Sequence, residues 1–121
     1  MLRSICLALT VSLLLPAPLL AANPFDGAYK GERSSLRGAP PACTKEGATT
    51  LHVKDGVLTL TYGKAHFDTE VKPDGSFEKT VLFNAGRTNV NATLIGRIAD
   101  RALEADLETY ACKYHYVLNR K

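Results

Sequence analysis

The sequence predicts an all-β domain, a small antiparallel up-and-down β-barrel of about eight strands with one disulfide. Three observations carry this expectation. From Thr49 onward apolar and polar residues alternate, with turn signals every eight to twelve positions. Hairpin partners assigned turn by turn share one apolar face. Two cysteines, Cys43 and Cys112, stand where a bridge would close most of that region into a single loop.

The chain opens MLRSICLALTVSLLLPAPLLAANPF: one basic residue, Arg3, a largely apolar run from Ile5 to Leu15, a proline-containing stretch, then small residues before Asn23. That is the pattern of a secretory signal peptide over residues 1–22, cleaved after Ala22. Pro16 and Pro18 interrupt the run, which falls short of the ~20 apolar residues of a spanning helix, so no membrane anchor is expected after cleavage. Cys6 leaves with the peptide. The remaining 99 residues, 23–121, suffice for one domain, burying roughly two-thirds of its unfolded surface. They carry 14 basic and 12 acidic residues with no basic block, so no nucleic-acid partner is expected. Export to the periplasm or the medium places Cys43 and Cys112 where disulfides persist. A bridge across 69 residues would stabilise the fold by roughly 4 kcal/mol through chain entropy.

The strands follow in order. FDGAYKGER reads as a first strand from Gly27 to Arg33, with Tyr29 and Gly31 on one face. In TTLHVKDGVLTLTY the Asp55-Gly56 pair signals a two-residue type I′ hairpin. It sets Val53 opposite Leu58, Leu51 opposite Leu60 and Thr49 opposite Tyr62. A turn at Gly63-Lys64 then sets Tyr62 against Ala65 and Leu60 against Phe67. Pro73, Asp74 and Gly75 suit a three-residue hairpin, after which Val71 would meet Phe77, Phe67 would meet Val81 and Ala65 would meet Phe83. Beyond the loop NAGRTN, Phe83 faces Val90 and Val81 faces Ala92. A tight turn at Asp100-Arg101 pairs Ile98 with Leu103, Gly96 with Ala105 and Leu94 with Leu107. On the outer face it sets Arg97 opposite Glu104. Helical spacing of Ala99, Ala102, Leu103, Asp106 and Tyr110 makes a helix the competitor over residues 99–111, because Asp-Arg lacks the glycine that a two-residue turn favours. A last strand runs from Cys112 to Leu118 or beyond. Eight strands joined to their neighbours would close by pairing first with last, around an interior filled by side chains or holding one small ligand.

The start Phe25-Asp26-Gly27-x-Tyr29-x-Gly31, the Asp-Gly pairs at 55–56 and 74–75, Gly96-Arg97-Ile98 and the ending Cys112-x-Tyr114-x-x-x-Leu118-x-Arg120 resemble a group of small exported proteobacterial all-β proteins without assigned function. The resemblance spans nearly all of the chain beyond the leader. It implies fold and export, and carries no catalytic residue across. Asp100-Arg101 departs from it, since a glycine-containing turn is usual there. A fainter topological similarity to avidin and lipocalin barrels is an analogy of architecture alone.

Several residues are candidates for function. Lys79 is expected on the inner face opposite Thr69, where a cation would need a partner or an outlet to water. An inward Lys79, with Thr69 and Tyr29 on the same lining, would suit the acidic group of a small ligand. The segment from Ser34 to Ala48 is long for a connection. Tied by Cys43 to the final strand, it would form a fixed lid carrying Arg37 and Lys45. Tyr110, Tyr114 and Tyr116 form an aromatic strip, with Tyr114 and Tyr116 as barrel lining. Cys112 and His115, three apart on a strand, point to opposite faces and cannot share a metal. His52 and His66 approach each other on the outer face without a third ligand. No nucleophile elbow, zinc-protease helix or phosphate loop occurs, so neither an enzyme nor a cofactor is expected. A noncatalytic exported binding protein, for a small ligand in the barrel or an envelope protein at the loops, is the leading expectation. A protein inhibitor of an envelope or foreign hydrolase is its alternative.

Overall fold

The computed structural model describes residues 23–84 and 87–121; the expected leader, residues 1–22, lies outside them. Eight strands follow one another: β1 (Gly27–Arg37), β2 (Gly47–Lys54), β3 (Val57–Tyr62), β4 (Ala65–Glu70), β5 (Ser76–Asn84), β6 (Asn89–Ala99), β7 (Ala102–Glu108) and β8 (Lys113–Arg120). They form one antiparallel sheet in the order β4-β3-β2-β1-β8-β7-β6-β5. The ladder between β1 and β8 joins the two ends of the chain, from Tyr29 opposite Arg120 to Arg37 opposite Lys113. The result is a nearly closed barrel. Among the described residues there is no helix, so residues 99–111 choose the strand.

The lining is the apolar alternation of each strand brought to one side. Tyr29, Phe67, Phe77, Leu94, Leu107, Tyr114 and Leu118 are buried to 1% exposure or less, and a wider apolar core surrounds them. Gly96 shows how tightly the lining is filled. A Cβ there would lie 2.6 Å from the Phe77 ring and 2.6 Å from the Ala105 Cβ, so the absent side chain is the seat of the Phe77 ring. Every pairing expected from β5 to β7 is present, including Val81 with Ala92, Ile98 with Leu103 and Arg97 with Glu104.

Three expectations need correction. First, β1 continues to Arg37, past the expected end at Arg33, because Ser34 and Ser35 pair with His115 and Tyr114 before a bulge near Leu36. The connection to β2 is therefore shorter, residues 38–46. Second, the β2–β3 ladder stops at His52 opposite Thr59, so Leu51 with Leu60 and Thr49 with Tyr62 are not laddered. Third, no ladder joins β4 to β5. Their turn begins as expected, with Lys72 N–H donating to Ser76 O at 2.9 Å. Val71 N–H then turns to Gly56 O at 2.8 Å, while Gly75 O accepts from Ile98 N–H at 2.9 Å. The two strands are thus drawn toward their other neighbours. Lys79 pairs with Leu94 and is exposed, so it does not project into a closed interior opposite Thr69. Zipping the seam would strip water from its ammonium, and leaving it open avoids that cost.

One end of the barrel is covered by residues 23–26. The Asp26 carboxylate accepts from the N–H groups of Asp55 and Gly56, both at 2.9 Å. The Arg120 guanidinium donates to Pro24 O at 2.7 Å, and Phe25 packs on the core. The β6–β7 turn at this end has Asp100 at φ 47° and Arg101 at φ 70°. Both residues take the left-handed conformation that a two-residue hairpin demands, although neither is glycine. Asp tolerates this region; Arg does so at roughly 1–2 kcal/mol. Arg101→Gly should therefore raise stability by about 1 kcal/mol, which in a domain of this size moves the melting temperature up by about 4–8 °C. An unchanged or lower melting temperature would show that the turn carries no such strain.

Candidate binding cleft at the flap end

The opposite end of the barrel is built around the disulfide. Cys43 and Cys112 are bridged, with Cα atoms 5.8 Å apart, and both are buried. The bridge fits an oxidising compartment. Residues 38–46 form a flap over this end, and Gly38 enters it at φ 87°. Any side chain at Gly38 would run into the Cys43 Sγ and the Ala111 carbonyl, so the flap lies close against the loop between β7 and β8. That loop is a tight turn. Thr109 N–H donates to Cys112 O at 2.8 Å, and Cys112 N–H donates to the Thr109 hydroxyl at 3.0 Å. The turn pushes Tyr110 outward to 88% exposure, away from the strip expected with Tyr114 and Tyr116.

Between flap, turn and strand ends lies a cleft of about 330 Å³, walled by Tyr62, Phe83, Val90, Ala42, Tyr110 and Cys112. Thr88 and Thr109 contribute the remaining polar lining, and no carboxylate, amine or imidazole among the described residues lines it. Below it, the Tyr62 and Tyr114 hydroxyls are 3.0 Å apart and their rings 5.4 Å. Thr44 N–H donates to the Tyr114 oxygen at 2.6 Å, which ties the flap to the floor. The walls can hold apolar matter by area burial, and the floor offers hydroxyl groups already engaged with each other.

The expected site residues are dispersed over the molecule. Tyr29 is fully buried at the covered end, its hydroxyl donating to Phe25 O at 2.6 Å. Thr69 is buried with a hydroxyl that finds no partner among the described residues. Arg37 sits at the end of β1, not on the flap. It donates to Thr109 O at 2.7 Å and pairs with Glu108 at 3.4 Å, so it braces the β7 end. Lys45 is on the flap and exposed; its carbonyl accepts from the Arg33 guanidinium at 2.6 Å. Tyr114 and Tyr116 line the barrel as expected and are buried. Missed by the sequence reading was Arg33, although the alternation Tyr29, Gly31, Arg33 already puts it on the inner face. Its guanidinium lies 5.4 Å from the centre of the Tyr114 ring.

Two of the three histidines, His66 and His115, are engaged by neighbours on the outer surface. His66 lies 3.1 Å from Asp68 and 3.2 Å from the Thr61 hydroxyl, and His115 lies 2.7 Å from Asp106. Among the described residues no three His, Cys, Asp or Glu side chains gather as a metal would require.

Burial, and next the hydrogen bond with Tyr114, lift the Tyr62 phenol from 10.0 to about 12. Burial likewise raises Tyr116, with the neighbouring Arg33 offsetting part of the effect. The folded protein thus holds the Tyr62 proton to higher pH than the unfolded chain does. Its contribution is complete below pH 10 and is lost as pH rises from 10 to about 12. Chemical denaturation at a series of pH values should show stability falling through that interval, and a shallower fall for Tyr62→Phe. Identical slopes would remove Tyr62 from the alkaline transition.

Compared with family models, curated proteins and solved structures, the chain finds no match.

Proposed function

We propose that this chain is a noncatalytic binding protein of the periplasm or the extracellular medium, which takes an apolar small molecule, or the apolar part of one, into the flap-end cleft. The carrying observation is the cleft itself: an opening of about 330 Å³ walled by Tyr62, Phe83 and Val90, with no ionisable side chain beyond tyrosine among the described residues that line it. The barrel interior is packed with side chains along its lining, so the ligand is received at the mouth and not enclosed within the barrel. The leader over residues 1–22 and the resemblance to small exported proteins support the location. The bridged flap supports a rim that need not be ordered on binding, which spares affinity.

A second reading has its own observation. Tyr110 is 88% and Leu36 58% exposed near this same end, and an exposed aromatic on a disulfide-held loop suits a protein partner. In that reading the chain inhibits an envelope or foreign hydrolase through the flap end, with Lys45 and Tyr110 at the contact.

The two are separated by native mass spectrometry of protein purified from its own compartment, followed by thermal shift with apolar metabolites. The first reading expects a co-purifying mass. It also expects stabilisation of about 2.7 kcal/mol at a hundredfold excess over Kd, weakened at least tenfold in Val90→Glu. No mass and no shift would contradict it. A hydrolase captured by the wild type and lost with Tyr110→Ala would establish the second reading instead.

A further inference from the structure

A second opening lies in the barrel wall, between β2 and β3, and does not depend on the flap-end cleft. The β2–β3 ladder comprises His52 with Thr59, Val53 with Leu58 and Lys54 with Val57, and goes no further. Beyond it, Thr49–Leu51 and Leu60–Tyr62 diverge, although β2 remains paired to β1 and β3 to β4. Their facing main-chain groups therefore have no ladder partner. The gap holds about 300 Å³ and runs through the wall: Thr50, His52, Thr59 and Thr61 lie on the outer side, Arg33 and Tyr116 on the inner.

Arg33 is the unusual member. It stands on the lining face of β1, opposite Gly47 on one side and Tyr116 on the other. One terminal nitrogen donates to Lys45 O at 2.6 Å and the guanidinium rests against the Tyr114 ring. Its Nε is buried with no partner, and no carboxylate among the described residues forms an ion pair with it. The guanidinium is half-buried, held by a carbonyl, a π face and the neighbouring Tyr116 phenol, and its Nε–H is the buried donor left orphaned. The missing element is an acceptor for Nε, and beside a guanidinium an anion is the acceptor that fits.

We propose that the β2–β3 opening is a receptor for a small carboxylate anion, with Arg33 as its cation and the freed strand amides and the Thr49 and Thr50 hydroxyls as its other donors; Thr59 and Thr61 already bond Asp68 and His66. A carboxylate fits better than a phosphate for two reasons. Among the described residues Arg33 is the one arginine or lysine lining the gap, so its single fixed charge matches a single negative charge and not a doubly charged phosphate. The planar guanidinium fork matches two carboxylate oxygens, while Leu51 and Leu60 beside it suit a short apolar stem. The outer threonines suit hydroxyl groups at the other end of the ligand.

Acetate is the probe. In a titration at constant ionic strength, followed by ¹H–¹⁵N NMR, the Arg33 Nε–H and the amides of Thr49–Leu51 and Leu60–Thr61 should shift and saturate. Val90 and Tyr110, on the flap-end cleft, should stay still. Arg33→Gln should weaken acetate at least tenfold, and Thr49→Val with Thr50→Val several-fold. Should Arg33→Gln fail to fold, the threonine pair on β2 decides. Shifts that never saturate, an affinity untouched by these substitutions, or inorganic phosphate displacing acetate with equal affinity would overturn the assignment. Failure here leaves the flap-end cleft standing, because its marker residues are different.

Discussion

The ladder between β1 and β8 is the constraint on which the rest of the molecule depends. It turns a meander of hairpins into a barrel by pairing the first strand with the last, seven residue pairs in unbroken register from Tyr29–Arg120 to Ser35–Tyr114. Gly31 sits within it where a Cβ would collide with the Val117 carbonyl, so the two strands approach as closely as only glycine permits. Closure there leaves the free edges in the middle of the chain, at β4 and β5. It also sets Arg33 among the aromatic residues of β8, and it brings the start of the flap beside the start of β8, where the disulfide holds it.

The two places where the wall fails to zip each have a cation of the lining face beside them. On the lining face of the sheet, among apolar or hydroxylic side chains, stand Arg33 and Lys79, while Arg120 on the same face lies at the covered end and donates to the Pro24 and Asp26 carbonyls. The first two each lie beside a break: Lys79 at the seam between β4 and β5, Arg33 at the gap between β2 and β3. A fully paired wall would enclose both charges in a medium that solvates them poorly. Lys79 escapes through its break into water. Arg33, planar and able to stack, rests half-buried against Tyr114 and a backbone carbonyl. The exposed edges opened by this compromise carry Asp68, Glu70 and Glu78, charges of the kind that discourage pairing with a second sheet.

Much of this was legible in the sequence because alternation and turn chemistry are local. Asp55-Gly56 and Pro73-Asp74-Gly75 name their hairpins, and each hairpin then determines which side chains share the lining. Even Asp100-Arg101, with the wrong residues for its turn, follows the pattern, since Ile98, Gly96 and Leu94 across from Leu103, Ala105 and Leu107 bury more than the turn strains. The Cys43–Cys112 bridge was legible from export and cysteine number. What did not follow was where ladders end. Leu51 and Leu60 match in chemistry, yet they part, because pairing also depends on what lies behind the sheet, and there it is Arg33. The candidate sites suffered from the same gap. Lys79 was placed by its register across a seam that does not form, Arg37 by a strand end set four residues too early, and the flap-end cleft depends on how four loops meet, which no single segment encodes.

The two ends of the barrel therefore differ in kind. Residues 23–26 cover one with Phe25 and the Asp26 carboxylate, which accepts from the Asp55 and Gly56 N–H groups; the disulfide holds a flap over the other. Native-state amide hydrogen exchange measures the underlying claim most directly. With β1–β8 as the closure and β4–β5 as the open seam, amides of the β1–β8 ladder should exchange only through global unfolding, and the seam-facing amides of β4 and β5 orders of magnitude faster. Equal protection at the seam and the closure, or faster exchange in β1 and β8, would show that the barrel closes somewhere else.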